Sequence, residues 1–402
     1  MIPSPIYRGF GIALLSSLFI YLSYFDIYIY FINTLVGILA LYLLLQEGRR
    51  VWFFSGIFIG IFWFWWITVS FKHYDMLWAI PIAMAVISLT YGSIFWLTAY
   101  ISERLAKDYS IVLKALGLLI LSYIHPFGFD WFKVELIFTD SYIGVTKWQF
   151  ALVLLAIALS INRKNFLYLI LIILAYQPTT ISTNTTDDIA LIGTDTKVAD
   201  KWNDSLHDEQ FKRLFESIDR AILEKKKIAV LPESVFPLYL NLEPKLLESL
   251  ETRAKDIAIV VGGLYWDGKT PRNSTYIFSN GSMRIANKVV LVPFGESNPL
   301  PDFLSDWINE VFYDGSVDYK ASKSVVDYKI GKEIYRNAIC FEATSEKLYE
   351  GSPKNMIVIS NNGWFTPSIE PILQKLILRY YNKKYKTVIY HAVNMSESYI
   401  IK

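Results

Sequence analysis

Residues 51–71 have the sequence VWFFSGIFIGIFWFWWITVSF, which contains no Asp, Glu, Lys or Arg. The hydrocarbon core of a bilayer is about 30 Å thick, and a helix needs about 20 mostly apolar residues to cross it. This stretch therefore predicts a transmembrane helix.

Six further stretches around it lack the same four residue types, so we predict about seven membrane spans. These stretches are 9–25, 27–46, 76–102 and the shorter 115–129, 148–162 and 165–177. A cleaved signal peptide is the alternative for the first of them. No small-residue cleavage pattern follows it, however, and another apolar stretch begins at once.

The charged residues divide the chain into two parts. Residues 1–178 contain 19 Asp, Glu, Lys and Arg side chains, and residues 179–402 contain 57. We therefore expect a transmembrane helical domain at 1–178, a Thr- and Asn-rich linker at 179–188 and a polar domain at 189–402. The net charge is only +2, so neither part has the basic field that nucleic acid binding requires. A single cysteine excludes an internal disulfide.

An odd number of spans places the two ends of the membrane region on opposite sides. With the N-terminus in the cytoplasm, the inside segments carry eight basic residues: Arg8, Arg49, Arg50, Arg104, Lys107, Lys114, Arg163 and Lys164. The outside segments carry three: Lys72, Lys133 and Lys147. Basic residues are enriched in cytoplasmic loops, so we expect the polar domain to be extracytoplasmic.

Two features of the membrane part have alternative interpretations. Trp63, Trp65 and Trp66 are either interface anchors or contacts within the helix bundle and with lipid. Residues 130–147 mix apolar and charged side chains, and they form either an amphipathic surface segment or a connecting loop.

The polar part alternates strand and helix patterns. Strands are predicted at 189–192, 228–231, 257–265, 275–278, 283–286, 334–340, 356–359 and 387–392, and helices at 211–222, 243–256 and 369–384. Asn280-Gly281 is a hairpin turn signal between two of these strands. This alternation predicts a layered α/β domain.

Three reactive side chains follow predicted strands. Glu233, Lys288 and Cys340 are a carboxylate, an ammonium and a thiol, which are the base, the oxyanion partner and the nucleophile of covalent carbonyl chemistry. Taken singly, each has an ordinary alternative. A lone cysteine is most often a small buried side chain, and a Glu or Lys after a strand is most often at the surface.

Four ordered motifs resemble the carbon-nitrogen hydrolase (nitrilase) superfamily and, behind a membrane domain, the apolipoprotein N-acyltransferase family. The motifs are LPES at 231–234, LVPFGE at 291–296 after Lys288, CFE at 340–342 and SNNGWF at 360–365. Two positions depart from the family pattern, since Phe341 replaces a common Tyr and Asn362 a common Asp. The resemblance implies a polytopic α-helical membrane bundle plus an α/β nitrilase-like αββα sandwich at 189–402.

The resemblance also implies a reaction and its location. Cys340 would take an acyl chain from a phospholipid donor as a thioester, with Glu233 as base and Lys288 at the oxyanion. The chain would then pass to the α-amine of a diacylglyceryl apolipoprotein, without a cofactor. The enzyme would lie in the bacterial inner membrane as a multi-pass protein in contact with membrane lipids, with its catalytic domain in the periplasm.

Further residues match the family pattern, and each has a structural alternative. Glu296 and Glu342 are expected to orient Lys288 or to hydrogen-bond loops, and the N–H of Phe341 to assist at the oxyanion. Trp202 is expected to cover an acyl chain or simply to pack. Asn361, Trp364 and Phe365 are expected to line the pocket.

Two alternative functions are compatible with the sequence: the first uses the same motifs, and the second uses none of them. A membrane-tethered amidohydrolase would resolve the thioester with water, and an inactive module would only assemble a membrane complex. The apolar half favours lipid substrates, because a soluble amide would need one anchor rather than seven spans. The four histidines show no metal-ligand spacing, and no glycine-rich loop indicates nucleotide binding.

Overall fold

The computed structural model describes residues 4–105, 107–178, 188–298 and 318–402. The chain forms two compact units. The first comprises Met1–Pro126, Asp130–Thr180 and Pro367–Lys384. The second comprises Phe127–Phe129, Ile181–Thr366 and Tyr385–Lys402. The predicted linker at 179–188 lies, apart from Asp188, outside the described residues.

The first unit is helical. Its α-helices in the N-terminal part are α1 (Pro5–Tyr24), α2 (Tyr30–Gln46), α3 (Arg49–Phe64), α4 (Ile80–Leu105), α5 (Ser110–Leu121) and α6 (Lys147–Asn162). Two longer 3-10 helices cover Trp65–Tyr74 and Phe166–Ala175. The predicted spans therefore correspond to helical segments.

Four segments within the described residues are long and apolar enough to cross a membrane: Pro5–Tyr24, Arg49–Tyr74, Leu77–Leu105 and Lys107–Gly128. Three of the seven predicted spans are shorter, Tyr30–Gln46, Lys147–Asn162 and Phe166–Ala175. At about 1.5 Å per residue for the two α-helices and about 2.0 Å for the 3-10 helix, these segments fall below the roughly 30 Å of hydrocarbon. The count of seven spans is therefore not confirmed, whereas the helical membrane bundle is.

Small residues allow the membrane helices to approach closely. A Cβ added at Gly9 would lie 2.6 Å from Cβ of Phe54, and one at Gly56 would lie 2.5 Å from the carbonyl oxygen of Tyr91. Trp63 and Trp66 are buried, and the indole of Trp63 donates to Ser17 Oγ at 3.1 Å. These two tryptophans are bundle contacts.

The segment at 130–147 is a buried connection, so the amphipathic-surface interpretation is wrong. Its short 3-10 helix Val134–Phe138 has every side chain buried. Helix α10 (Glu370–Tyr385) supplies polar partners for it: Lys383 donates to the carbonyl oxygens of Phe138, Thr139, Ser141 and Ile143. Most of α10 thus belongs to the first unit, whereas the residues before and after it in the sequence belong to the second.

The second unit contains two sheets. The first sheet consists of strands β1 (Ile189–Leu191), β2 (Ile228–Val230), β3 (Phe236–Tyr239), β4 (Ala258–Trp266), β5 (Pro271–Ser279) and β6 (Ser282–Asn287). Its order is β1-β2-β4-β5-β6, and β3 also pairs with β4. The second sheet consists of strands β7 (Asp327–Ile330), β8 (Glu333–Ile339), β9 (Asn355–Asn361), β10 (Val388–Asn394) and β11 (Tyr399–Ile401). Its order is β11-β10-β9-β8-β7.

The two sheets pack face to face. One apolar cluster joins Val230 and Val260 of the first sheet to Ile339, Ile357 and Ile359 of the second. The other face of the first sheet is covered by α8 (His207–Leu223) and α9 (Pro244–Arg253). β2 and β4 are parallel, as are β8 and β9, so the ends of these strands carry loops at one edge. The layered α/β domain is confirmed.

The predicted elements of this domain are present, and the hairpin turn lies at Asn280-Gly281 with positive φ angles of 53° and 69°. Three short strands, β3, β7 and β11, were not predicted. They have only three or four residues each, and proline or charged residues interrupt β3 and β7, whereas the equally short β1 and β2 are uninterrupted apolar runs.

Candidate active site

Glu233 lies in a tight turn directly after β2. Ser234, the next residue, has a positive φ of 48°. Gly262 of β4 passes close to this turn, because a Cβ there would lie 2.5 Å from the Ser234 nitrogen and 2.7 Å from the Glu233 Cα. The glycine therefore lets the strand support the turn that carries the carboxylate.

The Glu233 carboxylate is buried and has defined partners. Its Oε2 accepts the backbone N–H of Asn361 at 2.9 Å, and its Oε1 accepts Nδ2 of Asn273 at 2.7 Å. The Lys288 ammonium lies 3.7 Å from Oε1. Residues from both sheets thus fix the carboxylate.

Lys288 follows β6 and is 1% exposed. Its Nζ lies 3.0 Å from Oε1 and 2.8 Å from Oε2 of Glu296. Burial alone would lower the pKa of Lys288, but the carboxylates of Glu296 and Glu233 outweigh it and raise this pKa above the usual lysine value. The side chain is therefore a permanent cation at physiological pH.

Cys340 begins a short 3-10 turn at the end of β8 and has a positive φ of 53°. Left-handed backbone at a non-glycine residue costs about 1–3 kcal/mol and persists where the surroundings enforce it. The thiol is only partly buried, and it interacts electrostatically with the ammonium of Lys288. The turn thus presents the sulfur near the cation.

Glu342 ties the two loops together. Its Oε2 accepts the backbone N–H groups of Val289 at 2.6 Å and Val290 at 3.2 Å, and its Oε1 accepts that of Ile339 at 2.7 Å. The carboxyl is buried, which raises its pKa to about 7 in spite of these bonds. Glu342 therefore connects the backbone after Lys288 to the residue before Cys340.

Glu296 also has a structural partner besides Lys288, since its Oε2 accepts the N–H of Val292 within its own turn at 2.9 Å. Asn361 contributes its N–H to Glu233, while its side chain accepts from Gly363 and from Asn394. Its contact with the site is thus made by the backbone.

The remaining predicted residues lie on three loops. Trp202 follows helix α7 (Val198–Lys201) and is 44% exposed. Phe341 is buried next to Cys340. Trp364 and Phe365 follow β9 at a short turn and are half-buried. The Phe341 ring also stacks on that of Phe129, with 5.7 Å between the ring centroids. The functions expected of these four residues stay predictions.

Two residues of the site were not predicted. Asn273 of β5 donates from one amide nitrogen to both Glu233 and Glu296, at 2.7 Å each. Lys201 is 2% exposed, and its Nζ donates to the carbonyl oxygen of Glu233 at 3.2 Å. The only sequence feature that could have indicated Lys201 is its position directly before Trp202. Nothing in the strand pattern around Asn273 distinguishes it as a site residue.

The described part of the chain contains no group of three His, Cys, Asp or Glu side chains suited to hold a metal ion. The arrangement instead joins a thiol, two buried lysines and three carboxylates. Such a set supports proton transfer and stabilises a developing oxyanion.

A two-sheet α/β domain that carries Glu, Lys and Cys near strand ends, in one chain with a bundle of apolar helices, is the composition of a membrane-bound enzyme. Residues 4–179 match the family described as Apolipoprotein N-acyltransferase integral membrane domain. The chain belongs to the apolipoprotein N-acyltransferase family, and it is a multi-pass membrane protein and an acyltransferase.

Three relatives carry that name along nearly their whole length. The chain is 40% identical to the apolipoprotein N-acyltransferase of Wolinella succinogenes, over 98% of this chain and 96% of the relative. It is 34% identical to that of Helicobacter pylori, over 92% of this chain and 87% of the relative. It is also 34% identical to that of Campylobacter jejuni, over 98% of this chain and 89% of the relative. A solved CN-hydrolase superfamily protein from Xanthomonas campestris matches 53% of this chain and 82% of its own, with 13% identity and a TM-score of 0.39.

Proposed function

We propose that the protein transfers an acyl chain from a phospholipid to the α-amine of a lipidated N-terminal cysteine of an apolipoprotein, through a thioester on Cys340. The observation that carries the proposal is the convergence of Glu233, Lys288 and Cys340 at strand ends in a member of this family. Glu296, Glu342 and Asn273 are the residues that hold this set together.

In the first half-reaction the Cys340 thiol gives its proton to Glu233, and the sulfur attacks the ester carbonyl carbon of the phospholipid. The carbonyl oxygen becomes an oxyanion beside Lys288 and the N–H of Phe341. The ester C–O bond then breaks, and the lysophospholipid oxygen takes the proton back from Glu233. The products are a thioester and a lysophospholipid.

In the second half-reaction a neutral α-amine attacks the thioester carbonyl. The amine transfers a proton to Glu233, the C–S bond breaks, and the thiolate of Cys340 recovers the proton. The products are the amide-linked acyl chain and the free enzyme. Trp202, Trp364 and Phe365 are the proposed apolar contacts of the acyl chains.

We place the protein in the bacterial inner membrane with the catalytic domain, residues 189–402, in the periplasm and 179–188 as a linker to the membrane domain, 1–178. The eight-to-three excess of basic residues on the proposed cytoplasmic side supports this orientation. Both substrates are anchored in a bilayer, so a membrane-bound enzyme meets them without extracting either.

The first test is thioester trapping. The purified full-length protein, given a phospholipid with a labelled acyl chain, is expected to accumulate label on Cys340 that hydroxylamine removes. Cys340→Ser and Glu233→Ala are expected to lack the label, and Glu224→Ala, at an exposed glutamate after α8, is expected to keep it. Labelling that persists in Cys340→Ser would reject the proposed nucleophile, and a wild-type protein that takes no label would favour an inactive assembly module.

An acceptor then separates transfer from hydrolysis. A diacylglyceryl peptide with a free amine is expected to receive the label as an amide. Release of free fatty acid alone would reject acyl transfer in favour of a membrane-tethered amidohydrolase.

A further inference from the structure

Lys201 is a second buried lysine of the active site. It is the last residue of α7, and its side chain is 2% exposed. The carbonyl oxygen of Lys201 accepts a hydrogen bond from Nε2 of His207 on α8 at 3.0 Å, which fixes the backbone from which the side chain extends. A lysine is rarely fully buried without a compensating negative group.

The compensating groups belong to the active site. The Lys201 ammonium donates to the carbonyl oxygen of Glu233 at 3.2 Å, and it interacts electrostatically with the Glu233 carboxylate and with Cys340. Burial lowers the pKa of Lys201 to about 8, although both of these groups oppose that shift. The described residues offer this ammonium only one hydrogen-bond acceptor, so its position is not explained by structural bonding alone.

The charges around Cys340 show what this lysine supplies. Glu233 and Glu296 carry two negative charges against the single positive charge of Lys288. Glu342, on the turn that Cys340 begins, has a pKa near 7 and adds a partial negative charge. Ionisation of Cys340 would add a further negative charge to this buried cluster, which is unfavourable at low dielectric. The positive charge of Lys201 offsets it.

We propose that Lys201 is a positioning residue whose buried positive charge favours the thiolate of Cys340 and whose hydrogen bond fixes the backbone at Glu233. The inference adds a residue to the proposed thioester mechanism and rests on that proposed function. An adjacent ammonium is a known means of making a cysteine thiolate available near neutral pH.

The test measures the ionisation of the thiol itself. Cys340 is the sole cysteine of the chain, so the rate of alkylation by iodoacetamide between pH 6 and 10 reports on this thiol alone. In Lys201→Met the midpoint is expected to rise by about one pH unit, which makes alkylation at pH 7 about tenfold slower. Lys201→Arg keeps the charge and is expected to stay at or below the wild-type midpoint.

The control is Lys227→Met, an exposed lysine at the opposite end of β2 that pairs with Asp188. It is expected to leave the alkylation midpoint unchanged. A folded Lys201→Met protein with the wild-type midpoint, or a Lys201→Arg protein that shifts as far as Lys201→Met, would overturn the inference.

If tryptophan fluorescence shows that Lys201→Met does not fold, the alkylation curve of Lys201→Arg tests the inference on its own. Glu342 has a pKa of about 7 and titrates in both proteins, so the comparison between the two curves is what matters. The wild-type curve is expected to be broader than that of the arginine variant, because only in the wild type do the lysine and the thiol titrate together. Superimposable curves would count against the inference. A wild-type protein that forms no thioester would contradict the proposed function, independently of any alkylation result.

Discussion

Asn273 explains how two carboxylates are held beside one lysine. Its Nδ2 group donates to Oε1 of Glu233 and to Oε1 of Glu296, at 2.7 Å in each case. Like charges at short range repel, and the amide hydrogens reduce this repulsion while they fix both side chains. The asparagine therefore sets the geometry around Lys288 without taking part in proton transfer.

Replacing this amide by a carboxylate tests that function. Asn273→Asp is expected to lower the rate of thioester formation about 10–100-fold, because it removes both donated bonds and adds a third negative charge. Asn273→Ala, which removes the bonds without adding charge, is expected to lose less. The measurement is single-turnover acylation with labelled phospholipid.

A matched control exists at the far end of the second sheet. Asn355 at the start of β9 also donates to a glutamate, Glu333, at 3.1 Å, but it is remote along the strand from Asn361. Asn355→Asp is expected to acylate at close to the wild-type rate. Equal losses in the two Asp variants would argue that Asn273 acts only on general stability.

At the scale of elements, the site depends on strained turns at strand ends. Ser234, Phe294 and Cys340 all have positive φ angles, between 48° and 62°, and each lies in a turn that carries one of the sequence motifs. Such backbone is sparsely populated by residues with a side chain. The packing of the two sheets offsets the free-energy cost of this strain. The turns therefore direct Glu233, Glu296 and Cys340 into one region.

Gly262 is the element-scale test of this arrangement. The three atoms nearest to a Cβ in Gly262→Ala would all be backbone atoms of the Glu233 turn, so the turn must move. We expect about 1–3 kcal/mol of destabilisation and at least a tenfold loss of thioester formation. Thermal unfolding and the single-turnover assay measure the two effects.

The neighbouring glycine provides the control. A Cβ at Gly263 would lie 3.3 Å from the Cβ of Leu240, so it approaches its neighbour less closely than a Cβ at Gly262 would. Gly263→Ala is expected to be tolerated in both measurements. If Gly262→Ala acylates at the wild-type rate, then the close backbone approach does not position Glu233.

At the scale of the whole molecule, the uneven distribution of charge supports the proposed orientation of the chain. The apolar part carries 19 charged residues and the polar part 57, and the basic residues of the apolar part lie mainly in the proposed cytoplasmic segments. Four of its helical segments are long enough to span a bilayer, while three are shorter. The orientation therefore needs a test that does not depend on the number of spans.

Reporter fusions provide it. Alkaline phosphatase is active only outside the cytoplasm, so a fusion after Pro178 is expected to be active and a fusion after Lys107 inactive. Green fluorescent protein at the same two positions is expected to give the opposite pattern. Activity of the phosphatase at Lys107 and not at Pro178 would reverse the proposed topology.

Much of the fold was predictable because it depends on local patterns. Long charge-free stretches predicted the helical bundle, and alternating strand and helix periods predicted the layered domain around β2, β4, β8 and β9. The candidate residues Glu233, Lys288 and Cys340 were recognised from the motifs that carry them, close to the ends of β2, β6 and β8, and their roles stay predictions.

The tertiary structure decided what local patterns do not contain. The amide of Asn273 and the ammonium of Lys201 reach Glu233 only because strands and loops distant in sequence meet. Helix α10 packs with the first unit because Lys383 satisfies four carbonyl oxygens of a buried segment more than 200 residues earlier. The sequence by itself thus determined most of the helices and strands and the membership of the proposed reactive set. Burial and charge balance, which depend on long-range contacts, determined how that set is held.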